Sequence, residues 1–508
     1  MSRLYTEAAA VLAPSLLQDG KRRPTSSIKS RTFSDAVSNK KMTHLLVCET
    51  LKYSRLLDKT LELAGINAPK ELSDNMALLY VLLYEFLIGK QQKIRGGGAL
   101  KRAILEKETR LRKGLETARM RFPDLVPPEN NDNQESQQVP RFARINTLKT
   151  TRDEVWKSLE ALATKEDKGV LTMDEHIPNL VRFPPGTDLH DHPLVKQGKL
   201  ILQDKSSCFP VAALAMEMHR RGLGEYDAID CCAAPGNKTT QLAAELTGST
   251  SRLFAFDKSS KRYELLRSRV EQAGAQSRVE CIHGDFLLES DPCNGKFQRV
   301  RTILLDPSCS GSGSFSLDRL LEDRLKETDE RVLKLAEFQL EALSHAMSFP
   351  QAELISYSTC SVLYPENEGV VFKALERFPQ DWELVPALPE WKRRGESRAG
   401  GLTESQARMV ARADFALGDA TGGFFVALFA RRKQQTSGGG QKQGTETVTT
   451  KKNTTATKYQ RDVSWKLLGN GRLRKLAKPR FVSRDVAAAH RVIVDHYKRL
   501  RTAAAGDE

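Results

Sequence analysis

Residues Tyr226–Ala243 read YDAIDCCAAPGNKTTQLA. A short apolar run closes on Asp230. A turn of small residues around Pro235-Gly236 follows, and a helical pattern starts after it. Small residues let a ligand come close to the backbone, and a helix N-terminus favours a negatively charged group such as a carboxylate. In an open parallel sheet, ligands bind beyond the carboxyl ends of the strands. The spacing is not G-x-G-x-x-G, so a dinucleotide is not specifically indicated.

Three further stretches share this layout. LFAFDKSSKR (Leu253–Arg262) is a strand closed by Asp257. It lies about 20 residues past the small-residue turn, the spacing at which nucleotide-binding sheets carry an acid for ribose hydroxyls. An acidic helix cap is the common alternative. Asp285, in IHGDF, closes another strand and reads either as a contact to an adenine amino group or as a surface turn. ILLDPSCSGSG (Ile303–Gly313) and LISYSTCS (Leu354–Ser361) each end in a polar loop, holding Asp306 with Cys309 and holding Cys360. A single cysteine is ordinarily an inert, packed thiol. Two of them in strand-end loops point to one pocket on the ligand side of the sheet. Zinc would want more ligands, and neither C-x-x-C nor a paired histidine accompanies them, so no metal is expected.

Around these stretches, short apolar runs alternate with helical segments. Strands are expected at Tyr226–Cys231, Arg252–Asp257, Arg278–His283, Thr302–Asp306, Glu353–Tyr357 and Phe424–Phe429. Helices are expected at Thr239–Leu246, Ser260–Ala273, Glu327–Met347 and Glu366–Arg377. Such alternation predicts an α/β fold, a mostly parallel sheet covered on both faces. Upstream, Leu45–Ala64, Met76–Gly89 and Ala99–Phe122 read as helices, the second apolar nearly all round and therefore buried. The charge on the third reads equally as a solvated face or as an RNA-facing surface. RFARINTLK (Arg141–Lys149) reads as a strand of a small α+β unit. The expected organisation is a helical region over 1–126, a linker over 127–139, the small unit over 140–200, a catalytic domain over 201–432 and a basic tail over 433–508. The tail is low in complexity, partly disordered, and has a helix-like pattern at Ser483–Arg501.

Two thiols beside a nucleotide-like pocket suit one reaction. Carbon C5 of cytosine is a poor nucleophile, and a thiolate adding at C6 turns C5 into an enamine-like one. C5 can then accept a methyl group from S-adenosylmethionine. An acid near N3 stabilises the adduct, and a base removes the C5 proton before the thiol leaves. The base must be single-stranded or flipped out of its stack. From the chemistry alone, either cysteine could be the nucleophile.

DCCAAPGNKT, DPSCSGSG and YSTCS, in this order, resemble the motifs of the Nol/Nop/Sun family of RNA cytosine-5 methyltransferases. LILQDKSSCFP (Leu200–Pro210), SHAMSFP (Ser344–Pro350), YSTCSVLYPENE and GGFFVALF extend the resemblance. It covers about residues 140–430, and the DPSCSGSG form is similar to the branch acting on large-subunit ribosomal RNA. The resemblance implies a Rossmann-like core with a seven-stranded, mostly parallel sheet, and a helical N-terminal region that binds RNA together with the small unit. It implies Cys360 as nucleophile, Cys309 in product release near the C5 proton, and Asp306 on the cytosine edge. Lys238 would support the base or the nucleophile. The loop Cys232, Ala233, Ala234, Pro235, Gly236, Asn237 and Lys238, with Asp257, Arg262, Asp285 and Asp306, would take S-adenosylmethionine. Cys231 reads better as a packed thiol. The implied setting is the pre-ribosome in the nucleolus, with no membrane and no stable oligomer. A ribosome-assembly factor that binds RNA without catalysis, or the same chemistry on tRNA or mRNA, are the alternatives.

Composition agrees with a nucleic-acid partner. The chain has 508 residues, 79 Lys+Arg against 64 Asp+Glu and a net charge of +15. Its eight cysteines are too sparse for a disulfide framework. No apolar run reaches the roughly 20 residues of a bilayer span, and the N-terminus lacks a signal-peptide pattern. Residues 1–150 carry +10, 151–430 carry −8 and 431–508 carry +13. The basic arms, rather than the core between them, are placed to supply nonspecific, salt-sensitive affinity.

Overall fold

The computed structural model describes residues 2–16, 28–67, 71–73, 75–126, 139–162, 171–314, 326–433, 465–467 and 473–475. The linker Pro127–Gln138 and the tail helix expected at Ser483–Arg501 lie outside the described residues. In the tail, two three-residue strands, Trp465–Leu467 and Leu473–Lys475, pair antiparallel.

The N-terminal region is helical: α1 (Arg3–Leu16), α2 (Lys40–Lys52), α3 (Ser54–Leu63), α4 (Met76–Leu87), α5 (Ala99–Glu106) and α6 (Glu108–Arg121). Two segments expected as single helices are each broken. Leu45–Ala64 turns at Tyr53 and Ala99–Phe122 at Lys107, both with ψ near zero. The breaks fold the apolar faces back onto one core, in which α4 is wrapped on nearly every side. Helices α3 and α6 cross closely at Gly114, where a Cβ would lie 2.6 Å from the Thr60 carbonyl oxygen. On α5 and α6, Ile104, Leu111, Leu115 and Ala118 face inward.

The small unit is a four-stranded antiparallel sheet in the order β2-β3-β1-β4, with helix α7 (Arg152–Leu162). Its strands are β1 (Arg141–Ile145), β2 (Thr172–Met173), β3 (Leu180–Phe183) and β4 (Leu200–Leu202). Strand β1 stops at Ile145 rather than continuing to Lys149. Asn146 ends it by accepting from the Leu148 N–H (3.2 Å) and donating to the carbonyls of Gly198 (2.8 Å) and Ala273 (2.9 Å). The last bond pins this unit to the catalytic domain. Gly198 reinforces the seam, since a Cβ there would lie 2.3 Å from the Gln272 carbonyl oxygen.

All six strands expected in the catalytic domain are present, as β5 (Asp227–Asp230), β6 (Leu253–Asp257), β7 (Val279–His283), β8 (Val300–Leu305), β9 (Leu354–Thr359) and β12 (Phe424–Arg431). Two more, β10 (Trp382–Val385) and β11 (Ala411–Ala413), are short and carry little alternation to betray them. The order is β7-β6-β5-β8-β9-β12-β10. β11 pairs with β12 off this path, making eight strands where seven were expected. Strands β5 to β9 run parallel; β12 runs antiparallel to β9 and β10.

Alternate side chains serve opposite faces. Ile303 and Leu305 of β8 join the core that includes helices α11 (Glu330–Met347) and α12 (Glu368–Arg377), while Leu304 joins the other. That second core includes α8 (Lys205–Arg221), α9 (Asn237–Glu245) and α10 (Ser260–Gln272). Helix α8 was not foreseen, because Pro210 lies within it. The missing proline N–H is tolerated in its second turn, and the Pro210 carbonyl accepts from Ser356 Oγ of β9 (3.0 Å). The chain leaves β5 in one direction through β6 and β7 and returns to its other side at β8. The β5/β8 boundary is therefore the topological switch point, where a ligand crevice is expected.

Candidate active site

The small-residue turn stands on the carboxyl end of β5, and backbone hydrogen bonds fix its path. Cys231 N donates to the Leu304 carbonyl (3.0 Å) and Ala233 N to the Phe256 carbonyl (2.8 Å), so neighbouring strands hold the turn from both sides. Asp230 is buried and accepts from Thr239 Oγ1 (2.8 Å), tying the end of the strand to the start of α9. Gly236 caps α9 with a φ of 107°, a region that favours glycine. A Cβ there would lie 3.2 Å from side-chain atoms of both Leu266 and Arg269 on α10. Cys231 is buried as a packed thiol.

Burial raises the Asp230 carboxyl to about 7, with the nearby Asp306 charge adding to the effect. Between the ordinary aspartate value of about 4 and this one, the folded chain keeps a proton that the unfolded chain has released. Stability attributable to this group is thus present at low pH and lost as pH rises toward 7. Asp230→Asn is expected to flatten that decline and to gain on the wild type above pH 7 by at most ~4 kcal/mol. Thermal melting from pH 5 to 8 checks it; parallel curves for the two proteins would remove Asp230 as the cause.

The other acids take the strand-end positions expected of them. Asp257, at the end of β6, is buried and accepts from Ser259 N (3.0 Å). Arg262 lies over the turn: its Nη2 donates to the Ala234 carbonyl (2.5 Å) and its Nε lies 3.5 Å from Asp257. It braces the turn against β6. Asp285 caps the short helix Phe286–Glu289 by accepting from Leu287 N (3.1 Å), with Lys258 3.8 Å away.

Across the switch point, Lys238 Nζ of α9 lies 2.9 Å from Asp306 Oδ2, at the end of β8. Lys238 also donates to Ser207 Oγ (3.1 Å) and lies 5.3 Å from the Phe424 ring centre. Ser358 Oγ on β9 donates to Asp306 Oδ1 (2.7 Å). Burial pulls the Lys238 ammonium down, but Asp306 outweighs it and the group is held above its ordinary value.

The two loop cysteines meet. Cys309 Sγ and Cys360 Sγ are 3.2 Å apart, and neither is fully buried. The loops are laced together: Gly313 N donates to the Cys360 carbonyl (2.9 Å), and Gly423 N to the Gly313 carbonyl (2.7 Å). A Cβ on Gly313 would lie 2.4 Å from the Gly423 carbonyl oxygen, so three loops converge only because these positions are glycine. The hydrogen bond to Cys360 and then burial hold the Cys309 thiol well above its ordinary range, and Glu366 and Asp306 push the same way. Cys360 also acts electrostatically on the Lys238 cation.

Several supporting residues escaped the sequence reading. Glu366 is fully buried; its Oε1 accepts from Ser310 N (2.8 Å) and Gln339 Nε2 (3.0 Å), and its Oε2 has no hydrogen-bond partner. Arg412 makes a buried bidentate pair with Glu368 (2.7 and 2.6 Å) and donates to the Val362 carbonyl (3.0 Å), bracing the Cys360 loop from below. Arg144 of β1 is buried, and donates to Gln203 Oε1 (3.1 Å), Thr240 Oγ1 (3.0 Å) and the Asn237 carbonyl (3.3 Å). Its one-letter neighbourhood, RFARIN, reads only as a strand. Among the described residues, no group of three or more His, Cys, Asp or Glu side chains is arranged to hold a metal ion. No described helix is long and apolar enough to cross a membrane.

Comparison with known proteins covers most of the chain. Residues 222–430 match the family described as 16S rRNA methyltransferase RsmB/F. Residues 139–203 match the ferredoxin-like domain, and 40–131 the N-terminal domain, of NOL1/NOP2/Sun domain family member 5. A 28S rRNA (cytosine-C(5))-methyltransferase of Mus musculus is 40% identical over 451 residues, spanning 84% of this chain and 91% of its own length. A 25S rRNA (cytosine-C(5))-methyltransferase of Schizosaccharomyces pombe is 39% identical over 403 residues, spanning 77% and 84%. An Arabidopsis thaliana 25S rRNA (cytosine-C(5))-methyltransferase is 37% identical over 441 residues, spanning 85% and 73%. The crystal structure of PH0851 superposes with a TM-score of 0.57 at 19% identity, over 85% of this chain and 99% of that one, a likeness of fold.

Proposed function

The chain belongs to the NOL1/NOP2/Sun domain family, and from that membership we propose that it methylates C5 of a cytosine in large-subunit ribosomal RNA, with Cys360 as the attacking thiol. The observation that carries the proposal is the pair of sulfurs 3.2 Å apart beside the Lys238–Asp306 ion pair.

Cys360 adds through its sulfur to C6 of an extruded cytosine, forming a C6–S bond and shifting electron density onto C5. Lys238 supports the thiolate form of Cys360, the nucleophilic one. Asp306, held at both oxygens by Lys238 and Ser358, offers its carboxyl group to the cytosine edge. S-adenosylmethionine, when bound, supplies the methyl group as an electrophile. The residues fit such a group: a glycine-capped turn over Cys232–Lys238, with Asp257 and Asp285 ending the next two strands for ribose hydroxyls and the adenine edge. Arg262 serves by bracing Ala234 and Asp257. After methyl transfer a base takes the C5 proton beside Cys309, the C5–H electron pair re-forms the C5–C6 double bond, the C6–S bond breaks, and its electron pair regenerates the Cys360 thiolate.

Bisulfite sequencing tests the substrate. Cells carrying the Cys360→Ala protein are expected to lose protection of a large-subunit rRNA cytosine that the wild type methylates. Unchanged rRNA with lost methylation of a tRNA or mRNA would move the chemistry to another substrate. The proposed place of action is the pre-ribosome in the nucleolus.

The helical region, the small unit and the basic tail carry the RNA in this reading. Tail removal has a defined boundary, because Arg431 donates to the carbonyls of Ala352 (2.7 Å) and Phe349 (2.6 Å), and Arg432 pairs with Glu383 (3.0 Å). A cut after Lys433 spares these contacts and removes 16 Lys+Arg against 6 Asp+Glu. RNA affinity is expected to fall and its salt dependence to flatten, with S-adenosylmethionine binding intact. An unchanged salt slope would leave the tail without a role in RNA binding.

A further inference from the structure

We propose that Cys309 and Cys360 form a peroxide-responsive dithiol, a modification site at which oxidation joins the two sulfurs and reversibly closes the active site. The sulfurs lie 3.2 Å apart and need to approach by only about 1.1 Å to reach disulfide length. The loops that carry them are tied by the hydrogen bonds from Gly313 N to the Cys360 carbonyl and from Gly423 N to the Gly313 carbonyl, which keep the thiols from separating. Neither thiol is fully buried, which leaves the pair accessible to a small oxidant.

The other cysteines are placed differently. Cys208 and Cys231 are buried. Burial lifts the Cys48 thiol to about 11, and it lifts the thiols of Cys232 and Cys281 as well. Cys293 is exposed on a turn, where its N–H bonds to Asp291 Oδ1 (2.9 Å).

The chemistry proceeds in two balanced steps with hydrogen peroxide as oxidant. The Cys360 thiolate attacks one peroxide oxygen, the O–O bond breaks, and Cys360 becomes a sulfenic acid as hydroxide leaves and is protonated to water. Cys309 then attacks the Cys360 sulfur, the S–O bond breaks, the S–S bond forms, and the thiol proton leaves with the hydroxide as a second water. The nearby Lys238 cation favours the attacking thiolate, as it would in methylation. A dithiol reductant reverses the outcome, whereas Cys360 without a resolving partner is exposed to further, irreversible oxidation.

The test treats the full-length protein with hydrogen peroxide, blocks free thiols, and maps cysteine-containing peptides by mass spectrometry. The expected product is a Cys309–Cys360 linked peptide, appearing in step with the loss of RNA methylation, and both revert fully with dithiothreitol. In Cys309→Ser the same exposure is expected to trap Cys360 as a sulfenic acid, detectable with dimedone, and then as a sulfinic acid that dithiothreitol does not restore. This readout is chemical and does not depend on the variant's activity, and circular dichroism establishes that the variant is folded. Sulfinic acid at Cys360 of the wild type without a linked peptide, or linkage of Cys360 to Cys232 or Cys293 instead, overturns the dithiol. A Cys309–Cys360 link in a protein that still methylates at full rate overturns both the closure and the assignment of Cys360 as nucleophile.

Discussion

Cys309→Ala is expected to accumulate a protein–RNA conjugate that survives denaturing electrophoresis, while Cys360→Ala makes no conjugate and no 5-methylcytosine. The expectation follows from the roles proposed for two thiols in contact at 3.2 Å. Cys360 interacts with the Lys238 cation, which favours a thiolate able to add to C6. Cys309 lies against it, its thiol raised by the bond to Cys360, by burial and by the acids Glu366 and Asp306. It is well placed to act late, when the C5 proton must go and the Cys360 sulfur must leave. Without it, the adduct forms and does not resolve. The double variant Cys309→Ala/Cys360→Ala is expected to give no conjugate, which identifies Cys360 as the attachment point. A Cys309→Ala protein that loses activity with no conjugate would sink the two-thiol scheme, and a conjugate formed by Cys360→Ala would reverse the roles.

Lys238→Met is expected to lower single-turnover methylation by about 10²–10³-fold at saturating S-adenosylmethionine, the size of effect seen when one preorganised electrostatic partner is removed. The change deletes the cation that faces both Asp306 and Cys360. It leaves the Asp306 carboxylate with Ser358 as its remaining hydrogen-bond partner and without an ion pair among the described residues. Lys238→Arg is not expected to rescue. Lysine offers a compact point charge between Asp306, Ser207 and the Phe424 ring, and a planar guanidinium has a different shape and donor geometry. Breaking a largely buried ion pair also costs stability, so thermal melting is followed alongside to establish that the variant is folded under assay conditions. A rate within a few-fold of the wild type would take Lys238 out of the chemistry.

Much of the fold was legible because its strands are buried on both faces. Such strands read as unbroken apolar runs, and those ending at Asp230, Asp257, His283 and Leu305 were placed within a residue or two. What escaped was short or interrupted. β10 and β11 have four and three residues, too few to show a period, and Pro210 disguised α8. The breaks at Tyr53 and Lys107 were invisible because helical spacing runs through them; they are set by what the helices pack against, not by a local breaker.

The residues of the candidate site divide in the same way. Asp230, Asp257, Asp306, Cys309 and Cys360 announce themselves because each stands at or just past the end of an apolar run, and a parallel sheet sends all such ends to one side. Chemistry at one edge was therefore determined by the one-dimensional pattern alone. Which partner each residue takes was not. Arg262 was expected at the cofactor, and its bond to the Ala234 carbonyl could not be read from the sequence, since its reach across to β5 exists only once β5 and β6 pair. Glu366 and Arg144 carried no signal because a buried polar group is recognised by the partners that satisfy it, and theirs lie 27 to 96 residues away in the chain. The two cysteines look interchangeable in the sequence. Only the tertiary structure shows that their sulfurs meet, because the parallel pairing of β8 and β9 brings the two strand-end loops side by side.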